Sequence, residues 1–288
     1  MSGFFYIALE GSKEIEEPMQ KLTDDERTRL LRDVREAVRL GGEILRAHFG
    51  KRKEISFKGR IDPVTNADIA SERVIVDFIR SRHPDHDIIT EESDLSLVGS
   101  PFRWIIDPLD GTVNYTHNHP MAAVSVGLEA NGVMEIGAVY NPIREEFYHA
   151  VRGGGAFMND LSISVSEIDR LDRSLLSTGF PYNIRENPYN NLEHFCHMAK
   201  LAQAVRRDGS ATLNLCYTAM GRYDGYWELI ISPWDIAAGS LIVTEAGGTV
   251  SDLSGGPFSV YGRQVLATNG RIHEQVLAEL HVVGVKRP

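Results

Sequence analysis

In Trp104-Ile105-Ile106-Asp107-Pro108-Leu109-Asp110-Gly111-Thr112-Val113-Asn114-Tyr115 an apolar run breaks abruptly into an acidic turn punctuated by Pro and Gly. The run reads as a buried strand, and Asp107 and Asp110 fall at its C-terminal end, where open α/β sheets bind their ligands. Pro108 fixes its own φ and biases Asp107 toward an extended backbone, so the two carboxylates sit on a stiffened turn. Gly111 carries no side chain and lets backbone N–H groups approach a ligand closely. Such a turn suits a hard divalent cation with a phosphate oxygen beside it. Asp-Pro and Asp-Gly pairs are also ordinary turn formers, so the chemical reading needs support from elsewhere in the chain.

That support comes from two further acidic points on apolar scaffolding. Asp87-Ile88-Ile89-Thr90 reads as a short strand delivering Glu91-Glu92-Ser93, and Pro233-Trp234-Asp235 opens a helix predicted to run to Glu245. Alone, Glu91 and Glu92 would be solvated loop charges and Asp235 a helix N-cap. Together with Asp107 and Asp110 they form the carboxylate-rich set that a site for two or three metal ions requires. Carboxylates and a backbone carbonyl suit Mg²⁺ or Mn²⁺, and the lack of His or Cys among them disfavours zinc. His117 and His119 are accounted for by loop polarity.

Outward from this centre, Asp24 is predicted to cap a helix reaching about Phe49, whose Gly41-Gly42 pair marks close packing against another element. A second helix is predicted over about Asn66 to Arg82, with Pro84 beyond its end. Asn131-Gly132 signals a hairpin between strands at 122–129 and 133–140. Further strands are predicted near 146–151, 161–165, 174–178 and 223–230, with helices near 188–204 and 211–221. Strands near 249–252 and 264–268 and a helix over about 270–281 complete the pattern. It describes an α/β (α+β) chain of packed layers with the site at the junction of its two halves. Residues 1–22 read as an N-terminal extension. Residues 23–288 read as a single catalytic unit, with a metal-site half over about 23–150 and an α/β half over about 151–288.

With 288 residues, 42% of them hydrophobic and 24% charged, the chain has the balance of a soluble globular protein. A formal charge of −10 argues against direct nucleic-acid binding and against an anionic membrane surface. An acidic protein acting on a phosphorylated substrate needs metal ions or local cations to offset repulsion. Cys196 and Cys216 make neither a disulfide framework nor zinc-ligand spacing, so a cytoplasmic setting is expected. The apolar Phe4 to Leu9 segment is too short for a membrane span and lacks the basic flank of a secretory signal.

Trp104 to Tyr115 resembles the W-x-x-D-P-x-D-G-T-x-N-[FY] signature of the inositol monophosphatase family of Mg²⁺-dependent, lithium-sensitive phosphatases. Trp234-Asp235-Ile236-Ala237-Ala238-Gly239, continuing to Glu245-Ala246-Gly247-Gly248, resembles the family's second signature. Glu91-Glu92-Ser93, Lys58 with Asp62-Pro63-Val64-Thr65 and Asp68, and Arg206-Arg207-Asp208-Gly209-Ser210-Ala211 match in order, so the resemblance covers about residues 24–281. It implies the layered αβαβα sandwich of the sugar phosphatases, usually a homodimer. By resemblance, Glu91, Asp107 and the Leu109 carbonyl hold one metal, and Asp107, Asp110 and Asp235 hold a second. Glu91 helps hold a weaker third, so two to three Mg²⁺ ions are implied, with Mn²⁺ as a substitute. Asp62 and Thr112 match the pair that orients or deprotonates water, and the backbone of Gly111 and Thr112 cradles phosphate. Gly209, Ser210, Ala211 and Glu228 match positions that contact sugar or cyclitol hydroxyls. Val113 stands where Thr is frequent and Leu109 where Ile is, departures that leave the ligand set intact.

The activity this implies is hydrolysis of inositol monophosphate to myo-inositol and phosphate. Fructose-1,6-bisphosphatase and histidinol-phosphate phosphatase activities stand as alternatives within the enzyme class. A partner-binding role in a transcription complex is the alternative outside it.

Overall fold

The computed structural model describes residues 22–51, 55–57 and 63–284. All of the expected N-terminal extension except Leu22 lies outside the described residues, as do Lys58 and Asp62.

Helix α1 (Asp24–His48) is capped by Thr23 rather than Asp24. Thr23 and Glu26 exchange bonds in a capping box, and Asp24, Asp25 and Glu26 fill the first turn at the positive end of the helix. Strands β1 (Ile55–Phe57) and β2 (Pro63–Thr65) pair antiparallel and lead into α2 (Asn66–Arg82), which Thr65 and Asp68 cap in the same way. Next come β3 (Asp87–Thr90), β4 (Phe102–Asp110) and a short α3 (Thr112–Thr116). The predicted hairpin is β5 (Ala123–Ala130) and β6 (Val133–Asn141), extended by β7 (Glu146–Val151), β8 (Gly155–Met158) and β9 (Leu161–Ser162). The remaining elements are β10 (Leu175–Thr178), α4 (Leu192–Leu201), β11 (Ala204–Arg206), α5 (Ala211–Ala219) and β12 (Gly225–Leu229). They end with α6 (Pro233–Glu245), β13 (Thr249–Ser251), β14 (Gln264–Thr268) and α7 (His273–Val283).

Strands β3 to β9 form a seven-stranded sheet in chain order, parallel between β3 and β4 and antiparallel beyond. A five-stranded sheet runs β11-β10-β12-β14-β13. Three apolar clusters separate the layers. Leu30, Val34 and Val38 of α1 and Ile75 and Ile79 of α2 pack on Trp104, Ile106 and Val126 of the larger sheet. On that sheet's other face, Leu213 and Tyr217 of α5 and Ile236 to Val243 of α6 fill the gap to Tyr226 and Val265 of the smaller sheet. Met198 of α4 and Val276 and Leu280 of α7 cover Trp227 and Leu266 on the outside. The order is α1/α2, sheet, α5/α6, sheet, α4/α7, which is the αβαβα sandwich the signatures implied. Among the described residues no helix is long and apolar enough to cross a membrane.

Two close approaches fix these layers. A Cβ on Gly41 would stand 2.6 Å from Ile75 Cδ1, and one on Gly42 would stand 2.3 Å from the Tyr140 ring. The glycine pair thus lets α1 nest against α2 and β6, as its position suggested. On the opposite face, a Cβ on Gly137 of β6 would stand 2.8 Å from the backbone oxygen of Ala238. Main chain cannot swing aside as a side chain can, so Gly137→Val should cost about 3 kcal/mol by overpacking. A denaturant midpoint equal to that of the parent chain would show that α6 does not need this slot.

The sequence reading departs from the structure at several points. The helix predicted near 188–204 is only Leu192–Leu201, and Ala204–Arg206 is strand β11, parallel to β10. Pairing with a strand far back in the chain decides that segment, which no local pattern reveals. Of the strand predicted near 161–165 only Leu161–Ser162 pairs as strand; Val165 instead donates its N–H to the Ala246 carbonyl at 3.1 Å. Helix α3 is too short to show a helical period.

Candidate metal centre

The central strand does not stop at Asp107, as the Pro and Gly punctuation suggested. It continues through Pro108 to Asp110, with Asp107 opposite Ser125 and Asp110 opposite Ala123. Three steps along β4 therefore match two along β5, a bulge at the residue that cannot donate a ladder bond. Alternation would set Asp107 and Asp110 on opposite faces; the extra residue returns them to one side. Ser71 Oγ of α2 donates to the Pro108 carbonyl at 2.8 Å and holds the bulge from behind. The aromatic ends of the signature are anchors: Trp104 Nε1 lies 3.0 Å from His86 Nδ1, and Tyr115 donates to the Leu45 carbonyl at 2.6 Å.

Carboxylate oxygens of Asp107, Asp110 and Asp235 lie within 4.8 Å of one another. Asp107 is fully buried; its Oδ1 accepts from Leu109 N at 2.9 Å, and its Oδ2 has no hydrogen-bond partner among the described residues. Asp235 stands in the first turn of α6, where Oδ2 accepts from Ser232 N at 2.9 Å, so it serves as a helix cap as well. Asp110 is gripped from the other half of the chain by the start of α5. Ser210 Oγ at 2.5 Å, Thr212 N at 2.9 Å, Ala211 N at 3.3 Å and the Thr212 hydroxyl all donate to it. Thr212 is a contact the sequence reading missed.

Burial pushes the Asp107 and Asp235 carboxyls well above the usual carboxylate range, and the neighbouring acids, Glu91 among them, push further. Asp110 is also raised by burial, against the pull of its Ser210 and Thr212 donors. Clustered buried carboxylates and an unpartnered Oδ2 are unfavourable unless a cation offsets them. An all-oxygen donor set of this kind fits Mg²⁺ or Mn²⁺.

The Thr112 hydroxyl lies 3.0 Å from the Leu109 carbonyl and 3.2 Å from Asp68 Oδ1. Its carboxylate partner among the described residues is thus Asp68; Asp62, the partner that the resemblance implied, lies outside them. Asp68 Oδ2 accepts from Thr65 N at 2.9 Å and Thr65 Oγ1 at 2.5 Å, leaving Oδ1 to face Thr112. Burial raises its carboxyl to about 6 against those Thr65 bonds.

All of these acids except Asp68 line a cavity of about 460 Å³, together with Glu91, Leu109, Gly111 and Thr112. Gly209, Ser210, Ala211 and Glu228 line the same cavity. Every candidate site residue that is described therefore converges there. Arg207, which lies in a matching motif but had no role there, joins them, as do Arg263 and the 179–183 loop, which no sequence motif marked. Glu228 accepts from the Tyr226 hydroxyl, and burial raises its carboxyl to about 7 against that bond and the Arg207 charge. His117 and His119 are exposed on the loop after α3.

Comparison with known proteins gives consistent results. The profile of the Inositol monophosphatase family matches residues 26–284. The chain is 46% identical over 243 residues to an inositol-1-monophosphatase of Synechocystis sp., covering 84% of this chain and 85% of that protein. It is 42% identical to a protein of Pasteurella multocida named Nus factor SuhB, covering 85% and 92% of the two chains. The solved structure of an inositol monophosphatase from Anabaena (Nostoc) sp. superposes with a TM-score of 0.81 at 42% identity, covering 88% of this chain and 95% of that one.

Proposed function

The chain belongs to the inositol monophosphatase family, and from that premise we propose that it is a Mg²⁺-dependent phosphomonoesterase releasing phosphate from inositol monophosphate. Membership supports a phosphoric monoester hydrolase with a metal requirement; the substrate and the ion are the proposal. The observation that carries it is the unpartnered, buried Oδ2 of Asp107 within the cluster formed with Asp110 and Asp235. These three acids, Glu91 and the Leu109 carbonyl would hold two to three ions. A divalent cation there supplies Lewis-acid stabilisation of phosphoryl and leaving-group oxygens and makes water easier to deprotonate. The chain's own groups do the rest. The Thr112 hydroxyl orients the attacking water and relays its proton to Asp68 Oδ1, 3.2 Å behind it; Asp62, the partner that the resemblance implied, lies outside the described residues. The water oxygen bonds to phosphorus as the ester P–O bond breaks; the leaving oxygen takes a proton from solvent water and departs as the alcohol, and Asp68 returns its proton to solvent. Backbone N–H groups of Gly111 and Thr112 face the phosphate, while Gly209, Ser210, Ala211 and Glu228 meet the hydroxyls of the ring.

Phosphate release from inositol 1-phosphate, fructose 1,6-bisphosphate and histidinol phosphate, measured side by side with Mg²⁺ and with chelator, tests this reading. Highest kcat/KM on either of the last two would replace the substrate. Full activity in excess chelator would remove the mechanism. A second reading, partner binding without catalysis, takes its support from the relative named a Nus factor. Mg²⁺-dependent release that disappears in Asp110→Asn decides against it as the sole role.

Glu228 should read the substrate beyond its phosphate. Charge-assisted bonds from two neighbouring hydroxyls contribute roughly 1.5–3 kcal/mol each, so Glu228→Gln should cost about tenfold or more in kcat/KM for inositol 1-phosphate. p-Nitrophenyl phosphate offers no such hydroxyls and should lose much less. With a carboxyl near 7, Glu228 is charged above that pH and neutral below it. The ratio of the two kcat/KM values should therefore fall as pH drops through about 7, and be flat in the Gln variant. Equal losses on the two substrates would mean that Glu228 supports the cavity and reads nothing.

A further inference from the structure

Helix α2 turns one face toward the acidic centre, and Asp68, Ser71 and Glu72 occupy it at helical spacing. Asp68 reaches Thr112 and Ser71 holds the Pro108 carbonyl. Glu72, only 7% exposed, accepts from Thr90 Oγ1 at 2.6 Å, from Glu92 N at 3.0 Å and from the Ser93 hydroxyl. A carboxylate so buried is unfavourable unless its oxygens are satisfied. Here the donors all come from the residues on either side of Glu91. Two of them sit on Oε2 and one on Oε1, so both oxygens are committed to the same turn.

We propose that Glu72 is a positioning residue for the cation site: it clamps the turn after β3 so that the Glu91 carboxylate is presented to Asp107 and its neighbours. The proposal rests on the reading of Glu91 as a metal ligand. Groups that orient a ligand without touching the metal set its affinity by about 10- to 100-fold, because the ligand must otherwise be ordered when the ion binds. Glu72→Gln preserves volume but replaces one acceptor oxygen with an amide NH₂, which cannot receive the donors aimed at it. Thr90→Val removes one of those donors from the other side with little change of shape.

Mn²⁺ titrated into the full chain without substrate, and read by electron paramagnetic resonance, separates the possibilities. Glu72→Gln should weaken Mn²⁺ binding about tenfold or more, with Thr90→Val weaker in the same direction. Both should keep the parent's KM for inositol 1-phosphate at saturating Mg²⁺, and lost kcat should return as Mg²⁺ is raised. In a Glu91→Gln background, Glu72→Gln should add nothing, because the group it positions is gone. Parent-like Mn²⁺ affinity in Glu72→Gln, or an equal further loss on top of Glu91→Gln, overturns the positioning role. Should Glu72→Gln lose its near-ultraviolet circular dichroism, Thr90→Val decides alone, and parent-like affinity in it overturns the role. Unchanged Mn²⁺ affinity in Glu91→Gln itself is a different failure, one that removes Glu91 from the ligand set and the proposal with it.

Discussion

Asp107→Asn should lower turnover on inositol 1-phosphate by about a thousandfold or more, the equivalent of roughly 4 kcal/mol of transition-state stabilisation. The amide can keep the Oδ1 bond to Leu109 N, so the bulge retains its shape. What is lost is the charge on the oxygen that no group among the described residues satisfies. The same change should leave the melting temperature in chelator equal to the parent's or above it. Burial raises the Asp107 carboxyl well above its ordinary value, so at neutral pH its ionisation works against the folded state, and the stability it withholds grows as pH rises. An amide has no such ionisation. Loss of activity without loss of stability is therefore the signature of a functional carboxylate. Activity within tenfold of the parent, or a lower melting temperature in chelator, would show that Asp107 is a structural acid.

Thr112→Val and Asp68→Asn should each reduce kcat by about 10² to 10⁴, the usual range for a positioned proton acceptor, with KM nearly unchanged. Because the hydroxyl and the carboxylate Oδ1 are partners at 3.2 Å, the double variant should be little worse than either single one. Additive losses in kcat would mean that the two act separately. Asp62→Asn belongs in the same series. A loss matching that of Asp68→Asn would place Asp62 beside Asp68 in the water-orienting role that the resemblance implied for it.

Trp104 to Ile106 reads as a buried strand because its apolar run is continuous, and the acids of β4 and α6 are legible because they end or open such runs; the strand's continuation through Pro108 to Asp110 is not. The Gly41-Gly42 pair announced a close approach without naming the partner, and the structure supplies Ile75 and Tyr140. Asp68 lies within a matching motif, yet its role is hidden in the sequence for a physical reason. Thr65 and Asp68 make a capping box, which accounts for the acid locally and hides that its second oxygen points to Thr112, 44 positions on. A buried helix cap facing a signature threonine was the signal available. Thr212 acts across a still longer separation, gripping Asp110 over 102 positions, while Glu72 reaches 18 to 21 positions to a turn with no local pattern that ties it to the helix.

The slot at Gly137 also bears on how the chain is made. Strands β5 to β7 are complete by Val151, but the helix that covers their inner face, α6, ends at Glu245. At 5–20 residues per second of synthesis, that face waits roughly 5–20 s for its cover. The same helix carries Asp235, so closure of the core and completion of the acid cluster are a single late event. A nascent chain halted before Pro233 would possess Asp107 and Asp110 yet neither their third carboxylate nor a dry sheet, leaving it most exposed to self-association just before it becomes competent.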